Sequence, residues 1–175
     1  MALGRFCSVT VLAACWLGAS VSTGFSAKDT ATPNSGLPVP RYVSLKSDHV
    51  NVRAGPTKDN DVAWIYTRSG LPVEITAEFE NWRRVRDSEG SEGWVYHSLL
   101  SGRRTAVVTM KTKEDLAPLY DRADPSSAVA ARLQAGVVAQ VKKCTNNWCR
   151  VTGNGFDGWI EQQRLWGVYA DEKVE

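Results

Sequence analysis

Two cysteines, Cys144 and Cys149, lie in the stretch KKCTNNWCRV, Lys142 to Val151. A C-x4-C pair can serve as half of a metal site, as a redox couple or as a structural clip. A structural zinc site needs four ligands, and no second close pair of cysteines follows. A redox motif favours C-x-x-C at a helix start, which neither this spacing nor its strand-like context matches. The two histidines, His49 and His97, are not next to a cysteine in sequence. Each reads as a surface or hydrogen-bonded structural side chain rather than a catalytic base. Glu89 and Glu92 flank Gly90 in a turn-like stretch, where solvated loop charge is the simpler reading than an acid/base pair. With no visible nucleophile and base, carboxylate pair or metal set, the expectation is a non-catalytic protein without cofactor or metal.

The composition fits an ordinary globular chain. Of 175 residues, 43% are hydrophobic and 23% charged, outside the disordered and fibrous ranges. A net charge of +2, with its cations spread along the chain, gives no footprint for nucleic acid. The cluster Arg83-Arg84-Val85-Arg86 reads as the wet face of a strand. The N-terminus has the order of a secretory signal: Arg5, an apolar run from Phe6 to Val21, then small residues to Ala27. The run is short for a membrane span, which takes about 20 apolar residues. Leu12-Ala13-Ala14-Cys15 also resembles a lipobox, with Cys15 as the lipid-bearing residue. Trp16 and Leu17 continue the apolar run past it, which makes a lipid anchor the lesser reading. Export would remove Cys7 and Cys15 and leave two cysteines in an oxidising compartment, periplasmic or extracellular, where a disulfide is the default.

These residues must be positioned by short strands, and the strands repeat. Residues 28–40 are rich in Pro, Ser, Thr and Gly and read as a flexible linker. Beyond them Gly70 aligns with Gly136 at an offset of 66. Asn81-Trp82 aligns at that offset with Asn147-Trp148, and Arg84-Val85 with Arg150-Val151. One deletion later, Gly93-Trp94-Val95 matches Gly158-Trp159-Ile160. Val50-Asn51-Val52-Arg53 and Val73-Glu74-Ile75-Thr76 alternate with the period of a half-buried strand. Gly- and Asp-rich breaks separate such runs. Pro125 to Arg132 reads either as a short helix or as a loop followed by a strand. The pattern predicts an all-β chain of two small barrels or sandwiches, residues 41–104 and 105–170, after a signal at 1–27.

The residues that carry the first copy are Asn51-Val52-Arg53-Ala54-Gly55-Pro56, Gly70, Asn81-Trp82-Arg83-Arg84-Val85 and Glu92-Gly93-Trp94-Val95. They resemble the bacterial SH3 (SH3b) family, and residues 41–104 are similar to exported SH3-like proteins of alphaproteobacteria. The second copy keeps Gly136, Trp148, Arg150-Val151 and Gly158-Trp159. Its Asp121-Arg122-Ala123-Asp124-Pro125 departs from the Asn-Val-Arg-x-Gly-Pro signature. The resemblance implies a barrel of five to seven strands in each copy. It also implies a binding module for peptidoglycan, its stem peptides or envelope proteins. The alternatives are a protein–protein adapter for an envelope enzyme and, less well supported, a cell-wall hydrolase. Within the family motif, Gly55 suits a turn with positive φ.

Of seven tryptophans, Trp16 falls in the signal, and Trp82, Trp94, Trp148 and Trp159 repeat across the copies as framework. Trp64, Tyr66 and Tyr96 remain as candidate ligand anchors, since aromatic-lined grooves are how SH3-type barrels take extended peptides. The repeat also bears on the cysteines. At the offset of 66, Cys144 and Cys149 fall on Glu78 and Arg83, and both pairs enclose a four-residue stretch ending in Asn-Trp. Residues so placed face each other across a hairpin, at a separation a disulfide spans. The expectation is a cross-strand disulfide, Cys144–Cys149.

Overall fold

Alternation of side chains builds the sheets. In Val50-Asn51-Val52-Arg53 both valines are fully buried while Asn51 and Arg53 stay partly exposed, as in a strand with one wet face. The computed structural model describes residues 34–112 and 115–175. The expected signal peptide, the lipobox at Cys15 and residues 28–33 of the linker lie outside the described residues. No helix among the described residues is long and apolar enough to cross a membrane.

The first sheet is formed by β1 (Arg41–Leu45), β2 (Val50–Arg53), β3 (Val62–Tyr66), β4 (Pro72–Phe79), β5 (Trp82–Arg86), β6 (Glu92–Tyr96) and β7 (Leu100–Ser101), in the order β3-β2-β6-β5-β4-β1-β7. The second is formed by β8 (Thr105–Val108), β9 (Leu116–Tyr120), β10 (Val129–Gln134), β11 (Val138–Thr145), β12 (Trp148–Gly153), β13 (Phe156–Glu161) and β14 (Leu165–Trp166). Its order, β10-β9-β13-β12-β11-β8-β14, is the same topology. A single 3-10 turn precedes the last strand of each: His97–Leu99 and Gln162–Arg164. All seven strands of each sheet supply residues to one apolar cluster, so each sheet closes over its own core, as the resemblance implied. The ambiguous stretch at Pro125 to Arg132 is loop followed by strand β10.

Two glycines show why the repeated motifs hold. Gly93 and Gly158 sit where β6 and β13 cross β2 and β9. A side chain at Gly93 would run into Val52 and Trp64, and one at Gly158 into Leu119 and the Tyr120 carbonyl. Gly55 corrects an expectation: its φ is not positive, and what it provides is room for the Asn60 side chain packed against it.

The β4–β5 and β11–β12 hairpins carry the cross-strand pairs expected from the repeat. Glu78 is registered opposite Arg83, and Cys144 opposite Cys149. The cysteines are disulfide-bonded with Cα atoms 4.1 Å apart. In the first barrel the slot holds an ion network instead. Arg83 Nε lies 3.2 Å from Glu78 Oε1, and Arg41 Nη2 donates to the same oxygen at 2.6 Å. Ser35 completes it, donating from its backbone N–H and its hydroxyl to the Glu78 carboxylate at 2.8 and 2.7 Å. Burial pushes the Glu78 carboxyl up. The Ser35 and Arg41 hydrogen bonds and the Arg83 charge outweigh it, so the group sits below the usual range. The linker reading is thereby corrected at its C-terminal end: Ser35 to Pro38 is tied to the first barrel, since Arg41 Nη1 also reaches the Pro38 carbonyl at 3.0 Å.

The C-terminal segment after β14 ties the two barrels together. Trp166 and Tyr169 pack on Tyr42 of β1, with ring centroids 5.1 and 4.6 Å apart. The Tyr169 hydroxyl donates to Glu74 Oε1 at 2.9 Å, while Arg86 Nε donates to Glu74 Oε2 at 3.0 Å. Glu74 is only 4% exposed, and a buried carboxylate stands only when its oxygens are partnered. Further on, Glu172 accepts from Arg104 at 2.7 and 3.0 Å and from the Tyr169 N–H at 2.8 Å. Val174 then bridges to Cys144, so the second barrel's packed residues run past 170.

Joint replacement of Cys144 and Cys149 by serine is expected to cost about 2 kcal/mol, because the closed loop is short. Denaturant unfolding measures this. Thiol titration of the unreduced protein should find neither residue reactive, and two free thiols would overturn the pairing. Tyr169→Phe is expected to cost roughly 1 to 2 kcal/mol, since Glu74 then loses a donor inside the interface. A pH effect follows from the same groups. Burial first, then Asp87 for Tyr66 and Glu74 for Tyr169, raise these phenols above the ordinary tyrosine value. A folded pKa above the unfolded one means stability that is intact below about pH 10 and lost as pH climbs beyond it toward the folded values. Tyrosinate absorbance should therefore appear late and together with unfolding. In Tyr66→Phe and Tyr169→Phe that late fraction should shrink.

Candidate functional site

The second barrel has a concavity where three segments meet. The β11–β12 hairpin turns through Asn146 and Asn147, with φ of 48° and 63°, the left-handed pair that suits a two-residue hairpin and that asparagine tolerates. The turn delivers Trp148 at the start of β12. Below it, the Gln162 N–H donates to the Asn147 carbonyl at 2.8 Å, which seats the 3-10 turn against the hairpin. The segment Val168–Asp171 forms the third wall. Together they line a cleft of about 420 Å³. Trp148, Asn147, Glu161, Gln163 and Asp171 supply its aromatic and polar groups, and Leu165, Val168 and Ala170 its apolar surface.

Two side chains set its character. Trp148 is half-buried, braced by Tyr120 with ring centroids 5.5 Å apart. Its cross-strand neighbour is Glu161, whose Oε2 accepts from Arg164 Nε at 2.6 Å. Gln162 is 5% exposed. Its Nε2 donates to the carbonyls of Tyr169 at 2.7 Å and Glu172 at 3.1 Å. Its Oε1 has no hydrogen-bond partner among the described residues, and an unpaired buried acceptor carries a desolvation penalty.

The equivalent end of the first barrel is built differently. Trp82 faces Tyr96 across the strands, 5.4 Å between centroids, and is 8% exposed. A smaller cleft of about 250 Å³ lies there, lined by Arg41, Arg83, His97 and Ser101, with Ser35 and Leu37 closing one side. Its charged lining is basic, whereas that of the second-barrel cleft is acidic.

The sequence-derived anchors fall elsewhere. Trp64 is registered opposite Val52 and Tyr66 opposite Val50, so both rings share the face of the buried valines and pack on the first core. They lie edge to face with centroids 6.1 Å apart, and the Tyr66 hydroxyl donates to Asp87 Oδ2 at 3.0 Å. Tyr96 instead contacts Trp82 and His97. None of the three lines the larger cleft. Both strand pairs carry a bulge at the same place, and the copies align here at an offset of 67, because the chain from Tyr66 to Gly70 is one residue longer than that from Leu133 to Gly136. The second-copy counterparts of Trp64 and Tyr66 are therefore Ala131 and Leu133. Among the other candidates, Glu92 pairs with Arg84 at 2.6 Å and the Glu89 N–H donates to Asp87 Oδ1 at 3.0 Å in the β5–β6 turn. No group of three potential metal ligands occurs among the described residues.

Sequence reasoning placed Trp148 in the framework and passed over Gln162 and Asp171. One signal was readable: where the first copy has Tyr96 beside its tryptophan, the second has Glu161. That exchange leaves the Trp148 ring without an aromatic cover on the adjacent strand.

Comparison with known proteins matches the geometry of the repeat. The family model described as "Bacterial SH3 domain" matches twice, over residues 46–102 and 113–167. Among solved structures, NlpC2 from Trichomonas vaginalis is similar over 74% of this chain and 49% of its own, with 14% identity and a TM-score of 0.33. NlpC1 from the same organism is similar over 80% and 50%, with 14% identity and a TM-score of 0.32. An NlpC/P60 family protein from Bacillus cereus is similar over 71% and 55%, with 13% identity and a TM-score of 0.29. The chain thus spans about half the length of these structures. Among curated proteins there is no significant match. The chain belongs to the bacterial SH3 domain family and carries two tandem copies of that domain.

Proposed function

We propose that the protein is a non-catalytic binding module of the cell envelope, periplasmic or secreted, whose ligand is peptidoglycan or a peptide derived from it. The observation that carries this reading is the second-barrel cleft beside Trp148. It joins one half-buried aromatic wall to amides and carboxylates in a volume suited to a short polar chain. The disulfide Cys144–Cys149 and the signal-like order of the N-terminus support an oxidising location.

A second reading, a protein–protein adapter in the envelope, is favoured by β3. This strand lies at the edge of its sheet and leaves Val62 and Ile65 41% and 42% exposed. Edges of this kind are where another chain adds by strand pairing.

Co-sedimentation with purified peptidoglycan sacculi tests the first reading. Bound protein is expected in the pellet, and Trp148→Ala should weaken binding by roughly tenfold or more, the loss expected of an aromatic anchor. Failure of the unaltered protein to sediment, where a known wall-binding domain does, would overturn it. Capture of a defined envelope protein that depends on Val62 and Ile65 would then favour the adapter.

A further inference from the structure

We infer that the second-barrel cleft recognises a positively charged amino group on its ligand, presented by a peptide rather than by a glycan. This rests on the reading of the cleft as the ligand site and names what that site selects.

Three observations point the same way. The charged groups lining the cleft are Glu161 and Asp171, and neither lysine nor arginine lines it. Glu161 gives only Oε2 to Arg164 and, at 3.4 Å, to Gln163, and its Oε1 takes no hydrogen bond among the described residues. Asp171 enters no ion pair among them. The neutral polar wall is short of donors as well. Gln162 Oε1 is a buried acceptor without a partner, while both hydrogens of its Nε2 are spent on Tyr169 and Glu172. The aromatic wall, Trp148, is the ring type best suited to a cation. An ammonium brings one positive charge and three donors, which answers all three features together. A neutral hydroxyl-bearing sugar would supply donors but would leave Asp171, the cleft carboxylate with no ion pair among the described residues, uncompensated.

The charge is a property of this copy and not of the fold. At the matching end of the first barrel the corresponding cleft holds Arg41, Arg83 and His97. There Arg41 and Arg83 are paired to Glu78, and no carboxylate lines the cleft. Gln162 Oε1 is out of solvent contact. The two carboxylates and Trp148 receive the charge first.

Calorimetric titration of the disulfide-bonded protein compares two probes: N-acetyl-Ala-Lys-Ala-amide and the same peptide with the lysine Nε acetylated. They differ only in the ammonium. The free amine is expected to bind at least tenfold more tightly, and its advantage should shrink between low and high salt. Glu161→Gln and Asp171→Asn should each reduce that advantage. Asparagine accommodates the positive φ of 59° at position 171, so that variant keeps the backbone. Circular dichroism of both variants checks that they fold. Equal affinity for the two probes, or preference for the acetylated one, would overturn the inference. If neither probe binds while the protein still sediments with sacculi, the amine inference fails and the wall-binding reading stands. If the amine is preferred but sacculi leave the protein in solution, the cleft's selectivity stands and the wall-binding reading fails.

Discussion

A barrel of about 60 residues buries too little of its surface to be secure alone, and the whole architecture answers to that limit. The contact that answers it most directly is the Tyr169 hydroxyl on Glu74. A carboxylate this deeply placed would destabilise its own sheet if left bare. Arg86 partners one oxygen from within the first barrel, and Tyr169 partners the other from the second. The second barrel therefore completes the polar accounting of the first, while Tyr42, Trp166 and Tyr169 remove aromatic surface from water around it.

The second device is local. Both long hairpins need something to hold the strands in register near the turn, where pairing frays and one side has no neighbouring strand. One copy uses Glu78 and Arg83, reinforced by Arg41 and Ser35. The other uses a covalent bond, reinforced by backbone pairing of Cys144 with Val174. In each case a segment flanking the barrel in sequence covers the same place: Ser35–Pro38 in the first and Glu172–Val174 in the second. Arg41 and Arg104, just before or at the start of matching strands, hold these segments. Chemistry was exchanged while the mechanical role stayed.

How much of this could be read from the residues depended on range. Strand alternation, the correspondence of Gly93 with Gly158 and the opposed cysteines are set by neighbours along the chain or by the repeat offset, and these were legible. That Trp64 and Tyr66 share the face of Val50 and Val52 was not legible, because it depends on the pairing of β3 with β2, which composition does not mark. The role given to Gly55 was wrong for a similar reason: the crowding comes from Asn60, across the loop, not from φ. Least legible was the cleft. Its walls come from a hairpin, a 3-10 turn and the tail, and Gln162 reads as an unremarkable polar residue until its buried oxygen is seen to lack a donor.

The segment from Trp166 to Glu172 serves two masters. One side of it lines the cleft through Val168, Ala170 and Asp171, and another touches the first barrel through Trp166 and Tyr169. A ligand that moved this segment on entering the cleft would therefore also change the docking of the barrels. Whatever ligand displaces this segment spends part of its binding energy loosening the first barrel, and whatever tightens the docking alters affinity by the same factor in return. A bead-on-string picture of two independent modules is the wrong thermodynamic unit for this molecule.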